Sequence, residues 1–274
     1  MKFLFTSESI SGGHPDKLAD YVSDSVLDAC LSVDPNARVA CETATKGNMV
    51  MIFGEISCNA DVNLEQVVRT ACKEIGYTDW DIGLDYKSMQ VIITIDKQSS
   101  EIANSVHVNK NIDEIGAGDQ GLMIGYATDE TEELMPMSFV LSTKILKTMD
   151  DFRKDNTLPW LRPDMKSQVT IEYEKKEDGS LVPLNVHTVL ISAQHNPDIT
   201  LQEIRDQLRE KVVKKVIPAE LLTEQTKYVI NPSESFIIGG PRADAGLTGR
   251  KIIADTYGGW GGHGGKKQNR IMII

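Results

Sequence analysis

The chain has 274 residues, of which 41% are hydrophobic and 25% charged, with a formal net charge of −11 and a pI near 5.0. That length supports one large or two to three small domains, and the mixed composition excludes collagen, coiled coil and wholesale disorder. No run approaches the roughly 18 apolar residues of a membrane span, the turn to polar residues at Thr6 excludes a signal-peptide core, and the acidic balance argues against a nucleic-acid surface.

Pro15 to Leu31 reads as a helix, because Leu18, Val22, Val26 and Ala29 recur at helical spacing and Pro15 suits a first turn. Arg38 to Thr43 alternates like a strand, Lys46-Gly47-Asn48 reads as a hairpin turn, and Met49 to Ser57 returns as a second strand. Asn63 to Ile75 reads as an amphipathic helix stopped by Gly76. Gly116 to Gly121 is a glycine-rich loop, followed by an expected strand from Leu122 to Ala127. Ser138 to Phe152 is an expected helix. Ser167 to Tyr173 and Leu184 to Ser192 form a hairpin about Asp178-Gly179, and Ile199 to Val216 is a helix ending before Pro218. The order helix, hairpin, helix thus occurs twice, at an offset of roughly 120–140 residues. It predicts an α+β fold of repeated units, each a sheet with helices on one face.

Residues 239–265 hold ten of the chain's 21 glycines. Such density does not form element interiors. It reads either as a flexible linker or as a loop that approaches a ligand. The interleaved Arg242, Asp244, Arg250, Lys251, Asp255, Trp260 and His263 favour the ligand loop, since glycine loops carrying charge are a phosphate-binding habit. Cys30, Cys41, Cys58 and Cys72 show no CxxC and no zinc spacing. They read as reduced, mostly buried apolar residues of a cytoplasmic protein.

Several short motifs could carry chemistry. Gly12-Gly13-His14-Pro15-Asp16-Lys17 opens the first helix, where backbone amides attract anions, His14 can donate to a leaving oxygen and Asp16 can hold a divalent cation. The plain alternative is an acid favouring the helix dipole beside a loop histidine. Glu42 and Glu55 lie on facing strands and face either solvent or a ligand. Gly116, Gly118 and Gly121 match GxGxxG spacing, but without a following helix they make a poor dinucleotide fingerprint, and no GxxxxGK[ST] occurs. Asp164-Met165-Lys166 follows a Pro-rich loop, and Arg250-Lys251 follows a glycine loop. Lys166, Arg250 and Lys251 together could hold a polyphosphate, or be surface charge.

These stretches carry a resemblance. Phe5 to Ser9, Gly13 to Lys17, Arg38 to Thr43, Gly116 to Gly125, Leu158 to Val169 and Gly246 to Gly259 resemble the methionine adenosyltransferase (S-adenosylmethionine synthetase) family. The resemblance runs from about Met1 to Gly265. It implies interleaved α+β units: residues 1–12 with 128–233 as one, and 13–101 with 234–265 as a second carrying the glycine loops. Residues 102–127 would be a lid loop and the remnant of a third unit, and 266–274 a divergent tail. The family's continuation, a Gly-Gly-Ala-Phe-Ser-Gly-Lys-Asp loop and a Lys-Val-Asp-Arg-Ser stretch, is not matched after Gly265, so most of the third unit is expected to be absent.

The reaction so implied joins ATP to L-methionine. The thioether sulfur attacks C5′, the whole triphosphate leaves, and it is then cleaved to pyrophosphate and phosphate. By position, the resemblance gives His14 to the departing triphosphate, Asp16 to Mg²⁺, Glu42 to K⁺, and Glu55 and Gln98 to methionine. Asp119 would lie near nucleoside and methionine, Asp164 and Lys166 would hold ATP, and Phe236 would lie beside adenine. Asp244 would touch both substrates, and Arg250 and Lys251 the triphosphate. His14, Lys166, Asp119, Arg250 and Lys251 form the implied catalytic set. Residues 96–112 align with the family's mobile active-site loop. Ser235 stands where the family carries an arginine. The implied assembly is a homodimer or homotetramer. The alternative is a non-catalytic member that binds ATP or pairs with a full-length subunit.

Overall fold

The computed structural model describes residues 1–97, 111–116 and 121–263. Gln98, Asp119, residues 98–110 of the expected lid and the tail 266–274 lie outside the described residues. The fold is α+β and is built on two four-stranded sheets.

The first half of the chain supplies α1 (Pro15–Val33), β2 (Arg38–Lys46), β3 (Met49–Ser57), α2 (Leu64–Ile75) and β6 (Gln90–Asp96), after β1 (Lys2–Ile10). The tiny strands β4 (Thr78–Asp79) and β5 (Leu84–Asp85) pair with each other. The second half supplies α3 (Met137–Lys154), β7 (Leu161–Lys175), β8 (Leu181–His195), α4 (Leu201–Gln207) and β9 (Lys227–Ile230). A π-helical stretch, Leu208–Val213, and a last turn, Lys214–Val216, prolong α4. The short helix α5 (Gly240–Ala243) and strand β10 (Gly246–Leu247) complete the set.

Local chemistry explains most of the boundaries. Asn63 caps α2 by accepting the Gln66 N–H at 3.0 Å, and Gly76 ends it in the left-handed region at φ 110°. Thr200 and Glu203 form a reciprocal capping box at the start of α4. The Gly47-Asn48 turn between β2 and β3 stands where the hairpin was expected.

The two sheets share one topology. Each has a central antiparallel hairpin, β7–β8 or β2–β3, preceded and followed by a helix. A fourth strand, β9 or β6, then pairs parallel to the second hairpin strand. The remaining edge is exchanged across the chain: β1 pairs with β7, and β10 pairs with β2. The helix, hairpin, helix repeat is therefore real, and the interleaving arises at these two edges. Leu141, Ile145, Met149, Val169, Ile171, Val189 and Ile191 lie in one core. Leu18, Val22, Val26, Val50, Ile52, Val68 and Cys72 lie in the other.

The strand expected over Leu122–Ala127 does not form. Those residues are irregular, and Leu122 and Met123 stand 69% and 88% exposed. Apolar composition favours a strand only where a neighbouring edge takes up its backbone groups, and none does so here among the described residues. The glycine-rich C-terminal stretch does pack. Trp260 lies 4.0 Å from the Phe5 ring, meets Tyr173 edge-on at 5.0 Å, and donates its indole N–H to Ser138 Oγ at 3.0 Å. The cysteines carry no disulfide, and only Cys30 and Cys72 are fully buried, with Cys41 and Cys58 half-buried. Among the described residues no helix is long and apolar enough to cross a membrane.

Gly246 shows how tightly β10 is seated. A Cβ there would lie 2.1 Å from the Pro15 carbonyl oxygen, a backbone atom that cannot swing away. Gly246→Ala is expected to peel β10 from β2 at a cost of about 2 kcal/mol or more, read by urea denaturation. Parent-like stability would mean that the contact relaxes freely.

Candidate active site

β1 ends at Ile10, level with Lys166 on β7, and residues 11–14 turn from the sheet into α1. Ser11 ties this loop to the irregular entry of β7. Its hydroxyl donates to the Pro163 carbonyl at 2.7 Å and accepts the Met165 N–H at 2.8 Å. The Tyr77 hydroxyl, fully buried, donates to the Gly13 carbonyl. A Cβ on Gly13 would meet the Pro163 oxygen at 2.3 Å, so the loop passes only as glycine.

His14 is the N-cap of α1 and only 3% exposed. Its Nδ1 accepts the Asp16 N–H at 3.1 Å. A nitrogen that accepts carries no proton, so the neutral ring bears its hydrogen on Nε2. Burial, then the charges of Lys166 and Lys251, outweigh Asp16 and Asp244 and lower its pKa from 6.5 to about 4. At neutral pH His14 is therefore an uncharged N–H donor at a helix N-terminus.

Asp16 is buried beneath β10. Its Oδ1 accepts the Leu247 N–H at 3.0 Å and lies 3.6 Å from Arg250 Nε, while Oδ2 takes the Lys251 ammonium. Burial pushes its pKa up. The Lys251 bond, the Leu247 amide and the two cations reverse that and hold it below 3.8. Asp164 on β7 is likewise buried, and its Oδ2 accepts the Gly240 N–H at 2.8 Å. Burial raises its pKa to about 6, against the Gly240 bond and the Lys166 charge. Its Oδ1 has no partner among the described residues. Lys166 is exposed and forms no ion pair among the described residues. Asp244 is exposed, and its Oδ1 accepts the Ala245 N–H at 2.8 Å.

The structure thus gathers His14, Asp16, Asp164, Lys166, Asp244, Arg250 and Lys251 into one electrostatic neighbourhood at the start of α1. Glu42 and Glu55 are not bonded into it. Both are exposed on β2 and β3, opposite Phe53 and Ala40, and neither carboxylate has an ion-pair partner among the described residues. Phe236 is half-buried, and its backbone is clamped by His195. The Phe236 N–H donates to His195 Nε2 at 3.1 Å, and its carbonyl accepts the His195 N–H at 3.0 Å.

Sequence reasoning missed Ser11, Tyr77 and His195, which shape the site through backbone carbonyls and amides far along the chain. Only Ser11, beside two glycines, offers a local signal.

Among the described residues no group of three or more His, Cys, Asp or Glu could hold a metal. Asp16 offers one carboxylate, which fits magnesium as nucleotide enzymes bind it, through one or two carboxylates and the substrate's phosphates. Glu42 alone makes no cage for potassium.

Three matches with known families cover nearly all of the chain. Residues 2–100 match S-adenosylmethionine synthetase, N-terminal domain; 114–236 match the central domain; and 238–269 match the C-terminal domain. The last match extends slightly past Gly265, where the motif likeness stopped.

Proposed function

The chain belongs to the S-adenosylmethionine synthetase family, and from that premise we propose that it forms S-adenosylmethionine from ATP and L-methionine, releasing phosphate and pyrophosphate. The observation that carries this reading is a neutral His14 donor at a helix N-terminus beside Lys166 and Lys251, with Arg250 next to the neighbouring Asp16. A thioether sulfur needs no deprotonation to attack C5′, so the barrier lies in the leaving triphosphate. Fixed donors and cations aimed at that developing charge are the largest catalytic lever available.

In this reading His14 Nε2–H donates to the oxygen leaving C5′. Lys166 and Arg250 hold the phosphates, and Lys251 moves from Asp16 to them. Magnesium at Asp16 supplies further positive charge against the phosphates when bound. Asp164 Oδ1, without a partner among the described residues, takes a hydroxyl donor of the nucleoside, with Phe236 beside the base. Glu55, Gln98 and Asp244 hold the methionine amino-acid group, Asp119 lies near both substrates, and Glu42 would supply one of several oxygen ligands to potassium. We place the sites between subunits of a homodimer or homotetramer in the cytoplasm. The units are divided as 1–12 with 128–233 and 13–101 with 234–265, so that each encloses one sheet.

The test is direct. The purified chain, given ATP, methionine, Mg²⁺ and K⁺, is expected to yield S-adenosylmethionine with equal phosphate and pyrophosphate, read by mass spectrometry and phosphate assay. ATP binding by calorimetry without product at high protein concentration would instead assign a non-catalytic member that pairs with a full-length subunit.

A further inference from the structure

At the end of α1 farthest from His14, two segments are held together by Asp34, the residue that closes the helix. Its Oδ1 accepts the Asn36 N–H at 3.0 Å, and its Oδ2 accepts the Asn59 N–H at 2.9 Å. That second bond fixes the turn after β3 against the last turn of α1. One residue before Asn59 is Cys58, and in the last turn of α1 is Cys30. The Cys58 sulfur lies 4.0 Å from the Cys30 carbonyl oxygen, and both residues belong to the same apolar cluster.

The two thiols differ in access. Cys30 is 1% exposed. Cys58 is half-buried and opens onto a surface hollow lined by Asp34, Arg38, Ser57, Asn59 and Lys97. A partly exposed thiol can meet a small dissolved oxidant that a buried one cannot.

We propose that Cys58 and Cys30 form a peroxide-sensitive thiol pair, with Cys58 the reacting residue and Cys30 the resolving one. The Cys58 thiolate attacks one oxygen of hydrogen peroxide, the O–O bond breaks, and the departing hydroxide takes up a proton as water, leaving Cys58 as a sulfenic acid. The Cys30 sulfur then attacks the Cys58 sulfur, the S–O bond breaks, and the hydroxyl leaves with the Cys30 proton as a second water. Two thiols are oxidised by two electrons in all, and one peroxide is reduced to two waters. The product closes a covalent ring around the β2–β3 hairpin and fastens the helix that presents His14.

Other features support the pairing. Burial raises the Cys30 thiol and the Cys58 thiol raises it further, so Cys30 keeps its proton until it attacks the oxidised Cys58 sulfur. Cys72 is fully buried, with its thiol pushed up to about 12 by that burial, and among the described residues no second cysteine contacts it.

The experiment treats the folded full chain with hydrogen peroxide, blocks the remaining thiols by alkylation and maps non-reduced peptides by mass spectrometry. The expected result is a fall from four free thiols to two, with a reducible crosslink between the Cys30 and Cys58 peptides. Cys30→Ala should leave Cys58 as a sulfenic acid that dimedone labels, and Cys58→Ser should remove both crosslink and label. Because Cys30 is buried and its replacement could unfold the chain, the parent alone also decides. Peroxide that leaves four thiols, or crosslinks Cys41 or Cys72 instead, overturns the proposal. So does the same Cys30–Cys58 yield from chain oxidised in denaturant, since the fold would then not be its cause.

Discussion

Lys166→Ala is expected to lower kcat/KM for S-adenosylmethionine formation by about 10²–10³-fold, the loss typical of removing one preorganised donor to developing charge. The fold should not notice. Lys166 is exposed, level with Ile10 and Ser192 in its sheet, and its side chain forms no ion pair among the described residues, and substitutions of that kind stay within about 0.5 kcal/mol. This separation of activity from stability distinguishes Lys166 from Lys251, whose ammonium is the partner of buried Asp16. Lys251→Ala should cost both, because it strands a buried carboxylate. A second readout comes from His14. Lys166 is the first of the two cations that depress its pKa, after burial. Removing Lys166 should raise the His14 pKa above about 4, seen by following the imidazole C–H resonances with pH. Full activity in the Lys166→Ala protein would place the triphosphate elsewhere and remove the central support for the proposed chemistry.

What the sequence disclosed about this site, and what it hid, follows from the range of each interaction. The apolar stripe Leu18, Val22 and Val26 is a local periodicity, and all three residues are fully buried. The caps at Asn63 and Gly76 are equally local. The charged glycine and proline loops that bear His14, Lys166 and Arg250 could be picked out because such residues have few other uses in those settings. Pairing between distant segments leaves no such mark. β1 and β10 join sheets formed by the opposite halves of the chain, and β6 and β9 are parallel partners whose sequences alone do not announce a neighbour. The same reason hid Tyr77, whose partner is a backbone carbonyl, and the closing of Lys251 on Asp16 across most of the chain. It also explains the opposite failure at Leu122–Ala127, where strand-like composition found no edge.

Two buried groups of the site should leave a paired signature in the pH dependence of folding. His14 titrates near 4 in the fold and near 6.5 when unfolded. Between those values the unfolded chain holds the extra proton, so falling pH favours unfolding. Asp164 titrates near 6 in the fold and 3.8 when unfolded. Between those values the folded chain holds the extra proton, so falling pH favours folding. Each shift corresponds to about 3 kcal/mol, with opposite sign over nearly the same interval, so in the parent the two largely cancel. Substitution should unmask them. His14→Asn keeps an N-cap acceptor and removes the titration. Its stability relative to the parent should rise by about 3 kcal/mol as pH falls from 7 to 4. Asp164→Asn keeps an acceptor for the Gly240 N–H, and its relative stability should fall by a similar amount, while the double variant returns to the parent's slope. Urea denaturation across that pH range measures all of them, and the difference from the parent removes the contribution of other carboxylates such as Asp16. A His14→Asn protein whose stability tracks the parent at every pH would mean the ring titrates alike folded and unfolded. The neutral donor at the head of α1 would then be lost.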